Sequence, residues 1–186
     1  MKSQLKASSR VKKTMVQECV DDIFAAALKM TKVFQKGGRV FFCGNGGSAA
    51  DSQHLAAELL VRLNFDRAAL PALALTTDTS ILTATSNDTA FEKIFVRQLE
   101  ALAKEGDLLL GISTSGNSAN VLEAIKYCNK KGITTLGMTG KAGGEIAKIA
   151  ELVLQVPSNN VQRIQEGHIT IGHILCDIIE KNLFAN

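Results

Sequence analysis

Residues Val40 to Leu59 read VFFCGNGGSAADSQHLAAEL. An apolar run of strand character breaks into a glycine turn, and a helical pattern follows at once that carries His54 and Glu58 four positions apart. Four positions is close to one helical turn, so the spacing predicts both side chains on one helix face. Within the turn, Gly44-Asn45-Gly46-Gly47-Ser48 can bring bare backbone N–H groups to an anion, because glycine presents no side chain and accepts positive φ. Gly44, Gly46 and Ala49 also satisfy the dinucleotide pattern G-x-G-x-x-A, and a tight turn without a ligand is a third reading of the same residues.

Downstream of this unit the alternation repeats. Short apolar runs lie at Arg39 to Cys43, Ala72 to Leu75, Leu108 to Ile112, Thr134 to Met138 and Leu152 to Val156. Helical patterns fall between and beyond them at Ala49 to Leu63, Ser80 to Thr85, Phe91 to Lys104, Ala119 to Lys131 and Gly144 to Ile149. Nearly continuous apolar strands separated by helices predict a parallel sheet covered on both faces. The fold class expected is α/β, a three-layer αβα sandwich around a five-stranded parallel sheet.

Long helices are expected at both ends. Residues 3 to 36 contain neither Gly nor Pro, and their apolar residues recur at helical spacing until Gly37 and Gly38, which predicts one long N-terminal helix. Its apolar face is generous enough that packing on another subunit and packing on its own domain are both open. A last helix is expected from about Asn160 to Asn182, with Ile164, Ile171, Leu175, Ile178, Ile179 and Leu183 as its buried stripe.

The bulk numbers suit one domain over 1–186. A chain of 186 residues with 46% hydrophobic and 21% charged residues is of ordinary globular composition, and a net charge of +3 gives no reason to expect a polyanion partner. Lys2, Lys6, Arg10, Lys12 and Lys13 precede the first acid and read as a solvated end, so neither nucleic acid nor membrane is expected as a partner. No run approaches the roughly 18 to 20 apolar residues of a membrane span, and the expected location is the cytoplasm. Cys19, Cys43, Cys128 and Cys176 lack paired spacing and read as reduced, buried filler, Cys43 included.

A second unusual loop follows the third strand: Ser113-Thr114-Ser115-Gly116-Asn117-Ser118, just where a helix begins. One N-cap needs one hydroxyl, and four in six residues exceed capping. Hydroxyl donors at a helix N-terminus suit a phosphate. No Walker lysine follows either loop, and Asp78 is the one candidate for a ribose-binding acid, so a small phosphorylated ligand fits better than a nucleotide and no nucleotide cofactor is expected. The ionisable set is completed by Gln165, Glu166, His168 and His173 on the last helix; periodicity leaves open whether Gln165 or Glu166 faces the same way as His173.

Together, GNGGSAADSQHLAAEL, the SND of Ser86 to Asp88, STSGNS, and RIQEGHITIGH from Arg163 to His173 resemble the sugar isomerase (SIS) family over essentially the whole chain. The resemblance is to its members that interconvert sedoheptulose 7-phosphate and D-glycero-D-manno-heptose 7-phosphate through an enediol, in heptose biosynthesis for lipopolysaccharide or capsule. It implies substrate contacts from Asn45, Gly46, Gly47, Glu58, Asn87, Asp88 and Gln165, and a phosphate cradle of Ser113, Thr114, Ser115 and Ser118. It implies zinc on His54, Glu58, Gln165 and His173, and so selects Gln165 over Glu166. Glu58 is then the candidate base and His173 the candidate proton carrier. Two tensions attach to the metal: a zinc-bound nitrogen of His173 cannot also shuttle a proton, and Gln is an uncommon zinc ligand. The resemblance also implies a homotetramer with active sites between subunits. Two alternatives stand beside this reading. One is a tetrameric scaffold for the bacterial replication initiator, whose members lack the acid at Glu58 and the histidine at His173. The other is an isomerase of a different sugar phosphate.

Overall fold

The computed structural model describes residues 1–185. Its centre is a five-stranded, all-parallel sheet in the order β2-β1-β3-β4-β5. The strands are β1 (Val40–Gly44), β2 (Ala72–Ala74), β3 (Leu108–Ile112), β4 (Thr134–Gly140) and β5 (Leu152–Val156). The helices are α1 (Lys2–Glu18), α2 (Val20–Gln35), α3 (Gly47–Leu60), α4 (Thr79–Asp88), α5 (Val96–Leu102), α6 (Ala119–Lys130), α7 (Ile146–Ile149) and α8 (Val161–Phe184), with a 3-10 turn at Phe91–Lys93.

Successive side chains of a strand point to opposite faces, and both faces here are apolar. Val40 and Phe42 of β1, with Leu108, Leu110 and Ile112 of β3, meet α1, α2, α3 and α8. Phe41, Cys43 and Leu109 meet the layer that includes α5, α6 and α7. Two cores on one sheet make the three-layer sandwich. At the amino ends of the strands, buried Asp107 accepts from the backbone N–H of Arg39 (2.8 Å), the Arg39 guanidinium (3.1 Å) and the N–H of Lys104 (2.9 Å).

The N-terminal helix expected over residues 3 to 36 is in fact two, α1 and α2, divided at Cys19. The helical ladder spans the joint, since the N–H of Cys19 reaches Met15 O (2.9 Å) and that of Ile23 reaches Cys19 O (3.0 Å). At the joint Cys19 has φ −116° and ψ −10°; it is buried and its thiol donates to Gln155 O on β5 at 3.3 Å. The pattern read at Phe91 to Lys104 likewise divides into the 3-10 turn and α5. Further on, α7 starts later than Gly144, because Gly143 (φ 71°) and Gly144 (φ 61°) are left-handed and close against the serine loop.

Strand order reverses direction between β1 and β3, whose register ends on Gly44 opposite Ile112. In open parallel sheets this switch point, at the carboxyl ends of the strands, is where ligands sit. Both unusual loops leave the sheet there.

Candidate active site at the switch point

The first loop enters α3 through Gly46, whose φ of 54° and ψ of −120° exclude residues with a side chain. Asn45, next to it, exchanges two amide hydrogen bonds with Asn120 at the start of α6, each 2.8 Å. Asn120 also accepts from the N–H of Val121 (2.9 Å) and is buried. This clamp ties the glycine loop to the serine loop. Asn120 escaped the sequence reading, since an asparagine two residues past a cap carries no local signal.

In the second loop, Ser113 Oγ lies 2.8 Å from Ser118 Oγ and 3.4 Å from Ser115 Oγ, and Ser115 Oγ accepts from the N–H of Asn117 (3.1 Å). Gly116 (φ 68°) brings the loop so close to Gly143 that any side chain would overlap its carbonyl. A cavity of about 270 Å³ opens beside the loop, lined by Thr114, Ser115, Lys141 and Ser158 among others.

The ionisable residues converge from two helices. His54 Nε2 lies 2.9 Å from His173 Nε2 and 3.2 Å from Glu58 Oε1, and one ligand atom from each of the three falls within 4.8 Å of the others. Asp51, one turn ahead of His54 on α3, stands within electrostatic reach of both histidines. Burial raises its carboxyl above the usual range while His54 and His173 pull it down. The sequence reading passed over Asp51, although its spacing from His54 places both near one helix face.

Helices α3 and α8 run side by side in the same direction. A Cβ on Gly47 would sit 2.7 Å from Gln165 Nε2, and one on Gly172 would sit 2.4 Å from Leu55 Cδ2. Gln165 therefore lies against the N-terminus of α3, whereas Glu166 turns to Arg163 at 2.6 Å. His168 is fully buried, with Nε2 donating to Thr139 O (3.1 Å). Its place is in the core, away from the ionisable set. Asn87 and Asp88 end α4, exposed and bonded to each other (2.8 Å). Asp88 lines a cavity of about 510 Å³ with Lys93, Arg97 and Glu100, a cavity that none of His54, Glu58 and His173 lines. Asp78, the candidate ribose acid, is the N-cap of α4, accepting from Ile81 N at 2.9 Å. Cys43 is buried and its thiol is held protonated by that burial.

Whether the residues suit a metal is a question of donor chemistry. Tetrahedral zinc with bonds of about 2.0–2.1 Å has ligand atoms roughly 3.3 Å apart. The separations of 2.9 and 3.2 Å around His54 Nε2 approach that value. Two imidazoles and a carboxylate without thiolates are the donor set of a catalytic site that keeps an open position.

A family model described as SIS domain matches residues 5–140. Among curated relatives, a phosphoheptose isomerase from Aneurinibacillus thermoaerophilus is 48% identical, with 100% of this chain and 95% of the relative covered. The structure of a phosphoheptose isomerase from Francisella tularensis superposes with a TM-score of 0.94 at 37% identity, covering 97% of this chain and 96% of that one. A phosphoheptose isomerase structure from Neisseria gonorrhoeae gives a TM-score of 0.91 at 42% identity, covering 96% of each chain.

Proposed function

The chain belongs to the SIS domain family, in its phosphoheptose isomerase branch, and from that premise we propose that it interconverts sedoheptulose 7-phosphate and D-glycero-D-manno-heptose 7-phosphate at the β1–β3 switch point. The observation that carries the proposal is the meeting of His54, Glu58 and His173 within 4.8 Å, beside two loops suited to a phosphorylated sugar. The replication-initiator scaffold is not favoured, because the acid and the second histidine that it lacks are present and adjacent. An isomerase of another sugar phosphate is likewise not favoured by relatives named for the heptose reaction.

In the reaction, Glu58 removes the proton from the carbon beside the carbonyl. The electron pair left behind becomes the double bond of an enediol as the carbonyl oxygen takes up a proton. Return of a proton to the former carbonyl carbon, with loss of the hydroxyl proton from the oxygen of the carbon first deprotonated, makes that carbon the new carbonyl and completes the exchange. His173 carries protons between the two oxygens. Ser113, Thr114, Ser115 and Ser118, at the N-terminus of α6, hold the phosphate, and the helix dipole assists them. Asn45, Gly46, Gly47 and Gln165 meet the sugar, and Glu58 touches it as base. Asn87 and Asp88 lie on α4 and serve the sugar of a site completed between subunits.

The site's metal would be zinc, held by His54, Glu58 and His173 with Gln165 beside them. Zinc, when bound, polarises the carbonyl and stabilises developing negative charge. A His173 that ligates through Nε2 has only Nδ1 left for protons, so the metal and shuttle roles divide its two nitrogens.

Assembly as a homotetramer is part of the proposal. Val16, Val20, Phe24 and Leu28 recur every fourth residue along α1 and α2 as an exposed apolar stripe, on a different face from Cys19, Ile23 and Ala27 in the core. Residence in the cytoplasm and a place in heptose supply for lipopolysaccharide or capsule complete it. Among the described residues no helix is long and apolar enough to cross a membrane, and the four cysteines are free and buried. The test is product identification after incubation with sedoheptulose 7-phosphate, with and without chelator. Recovery of unchanged substrate in the presence of added zinc would defeat the proposal.

A further inference from the structure

Helix α3 supplies His54 and Glu58, α8 supplies Gln165 and His173, and the site exists only while the two helices hold their register. Two glycine contacts near the start and middle of α3 let them approach. At the far end the contact is different in kind. Arg67 and Glu180 form an ion pair (Nε to Oε1, 3.1 Å) with side chains only 2% and 0% exposed.

The last four carbonyls of a helix lack partners inside it. Arg67 supplies donors for two of those of α3: Nη2 reaches the carbonyl of Glu58 itself at 2.8 Å, and Nη1 that of Leu59 at 2.6 Å. Nη1 also holds Ala68 O at 3.0 Å, and the guanidinium lies 5.6 Å over the Phe184 ring of α8. Glu180, two turns beyond His173 on α8, accepts from Arg67 and from the backbone N–H groups of Leu63 (3.1 Å) and Asn64 (2.8 Å). Asn64 adds a bond to Asp177 of α8 at 2.9 Å. The segment from Val61 to Ala68 is thus folded back under the end of α3 by one carboxylate of α8.

A buried ion pair is weak evidence for stability, because the desolvation of both charges offsets their attraction. What this pair does supply is geometry. We infer that Arg67 and Glu180 are positioning residues for the isomerase site, joining the backbone of Glu58 to α8 and fixing the separation of Glu58 and His54 from His173. Arg67 holds its carbonyls through a planar fork that lysine lacks. The inference rests on the reading of His54, Glu58 and His173 as the reacting and metal-binding group.

The experiment pairs kinetics on sedoheptulose 7-phosphate with zinc affinity measured by chelator competition. Its variants are Arg67→Lys, the double replacement Arg67→Met with Glu180→Met, and Asp107→Asn as a buried ion-pair control remote from the site. Apolar replacement of both partners leaves no buried charge without its counterion, and the melting temperature of the double variant, read beside its kinetics, separates position from folding. We expect kcat to fall at least ten-fold and zinc affinity about ten-fold in Arg67→Lys and in the double variant. KM should stay within about two-fold, because the phosphate loops are untouched. Asp107→Asn should lower the melting temperature with kcat and zinc affinity unchanged. Wild-type kcat and zinc affinity in Arg67→Lys, or in a folded double variant, would overturn the inference. Equal losses in Asp107→Asn would overturn it too, by making the effect global. Wild-type protein that binds no zinc strikes the reading of the site itself, whereas zinc binding unaltered across the variants strikes only this inference.

Discussion

The proposed mechanism asks Glu58 to be both a base and a metal ligand; one of its oxygens stands 3.2 Å from His54, and the side chain is only partly buried. Glu58→Gln keeps the size and removes the base. Binding of a phosphorylated sugar, read by calorimetry, should persist, while turnover falls about 100-fold or more; undiminished turnover would falsify the base assignment. His168 makes a different kind of statement. Burial lowers its pKa from 6.5 to about 4, with the bond to Thr139 O opposing the shift. The folded pKa lies below the unfolded one, so the contribution to stability is present above pH 6.5 and is lost as pH falls towards 4. At about 1.4 kcal/mol per unit, the loss is about 3 kcal/mol by pH 4. His168→Gln retains an N–H for Thr139 and removes the titration. Its melting temperature should therefore fall less than that of the wild type between pH 7 and pH 4.5 in matched thermal scans.

Among the elements, the pair α3 and α8 governs the site. A methyl group on Gly172 would meet Leu55, itself 1% exposed, at 2.4 Å. Either Leu55 leaves its rotamer in a packed core or the helices move apart. Gly172→Ala should therefore cost about 1–3 kcal/mol of stability and lower kcat as the helices part, measured by denaturant unfolding and by initial rates. Wild-type values for both would show that α8 can shift freely. The divided N-terminal helix belongs to this scale as well. At its joint the Cys19 thiol is bonded to β5, a contact 136 residues away in the chain. Propensity and periodicity are local quantities, and for that reason neither contained the break.

For the whole molecule, the exposed stripe of Val16, Val20, Phe24 and Leu28 and the exposed position of Asn87 and Asp88 are what the proposed assembly would account for. Phe24→Glu should shift the species seen by light scattering from a tetramer towards smaller ones at micromolar concentration, with circular dichroism unchanged and activity reduced. A monomeric wild type would remove the explanation. Chelation should abolish turnover and added zinc restore it, with elemental analysis following the metal; full activity in metal-free protein would exclude an essential ion.

The alternation of apolar strands and helices was enough to give the three layers and the parallel sheet, because burial on both faces of a strand leaves a continuous apolar run that no other architecture explains as well. Spacing likewise placed His54 and Glu58 on one face of one helix, and excess hydroxyls marked the loop after β3. None of these local signals could say that residues 54 and 173, more than a hundred positions apart, share a nitrogen-to-nitrogen distance of 2.9 Å. Nor could they reveal that Asn45 is clamped by Asn120, or that Arg67 reaches the carbonyl of Glu58. Those contacts depend on how closely α3 and α8 approach and on which strands adjoin at the switch point. Both are fixed by packing across the sheet, where a glycine without a Cβ or a single buried carboxylate sets the distance between distant segments.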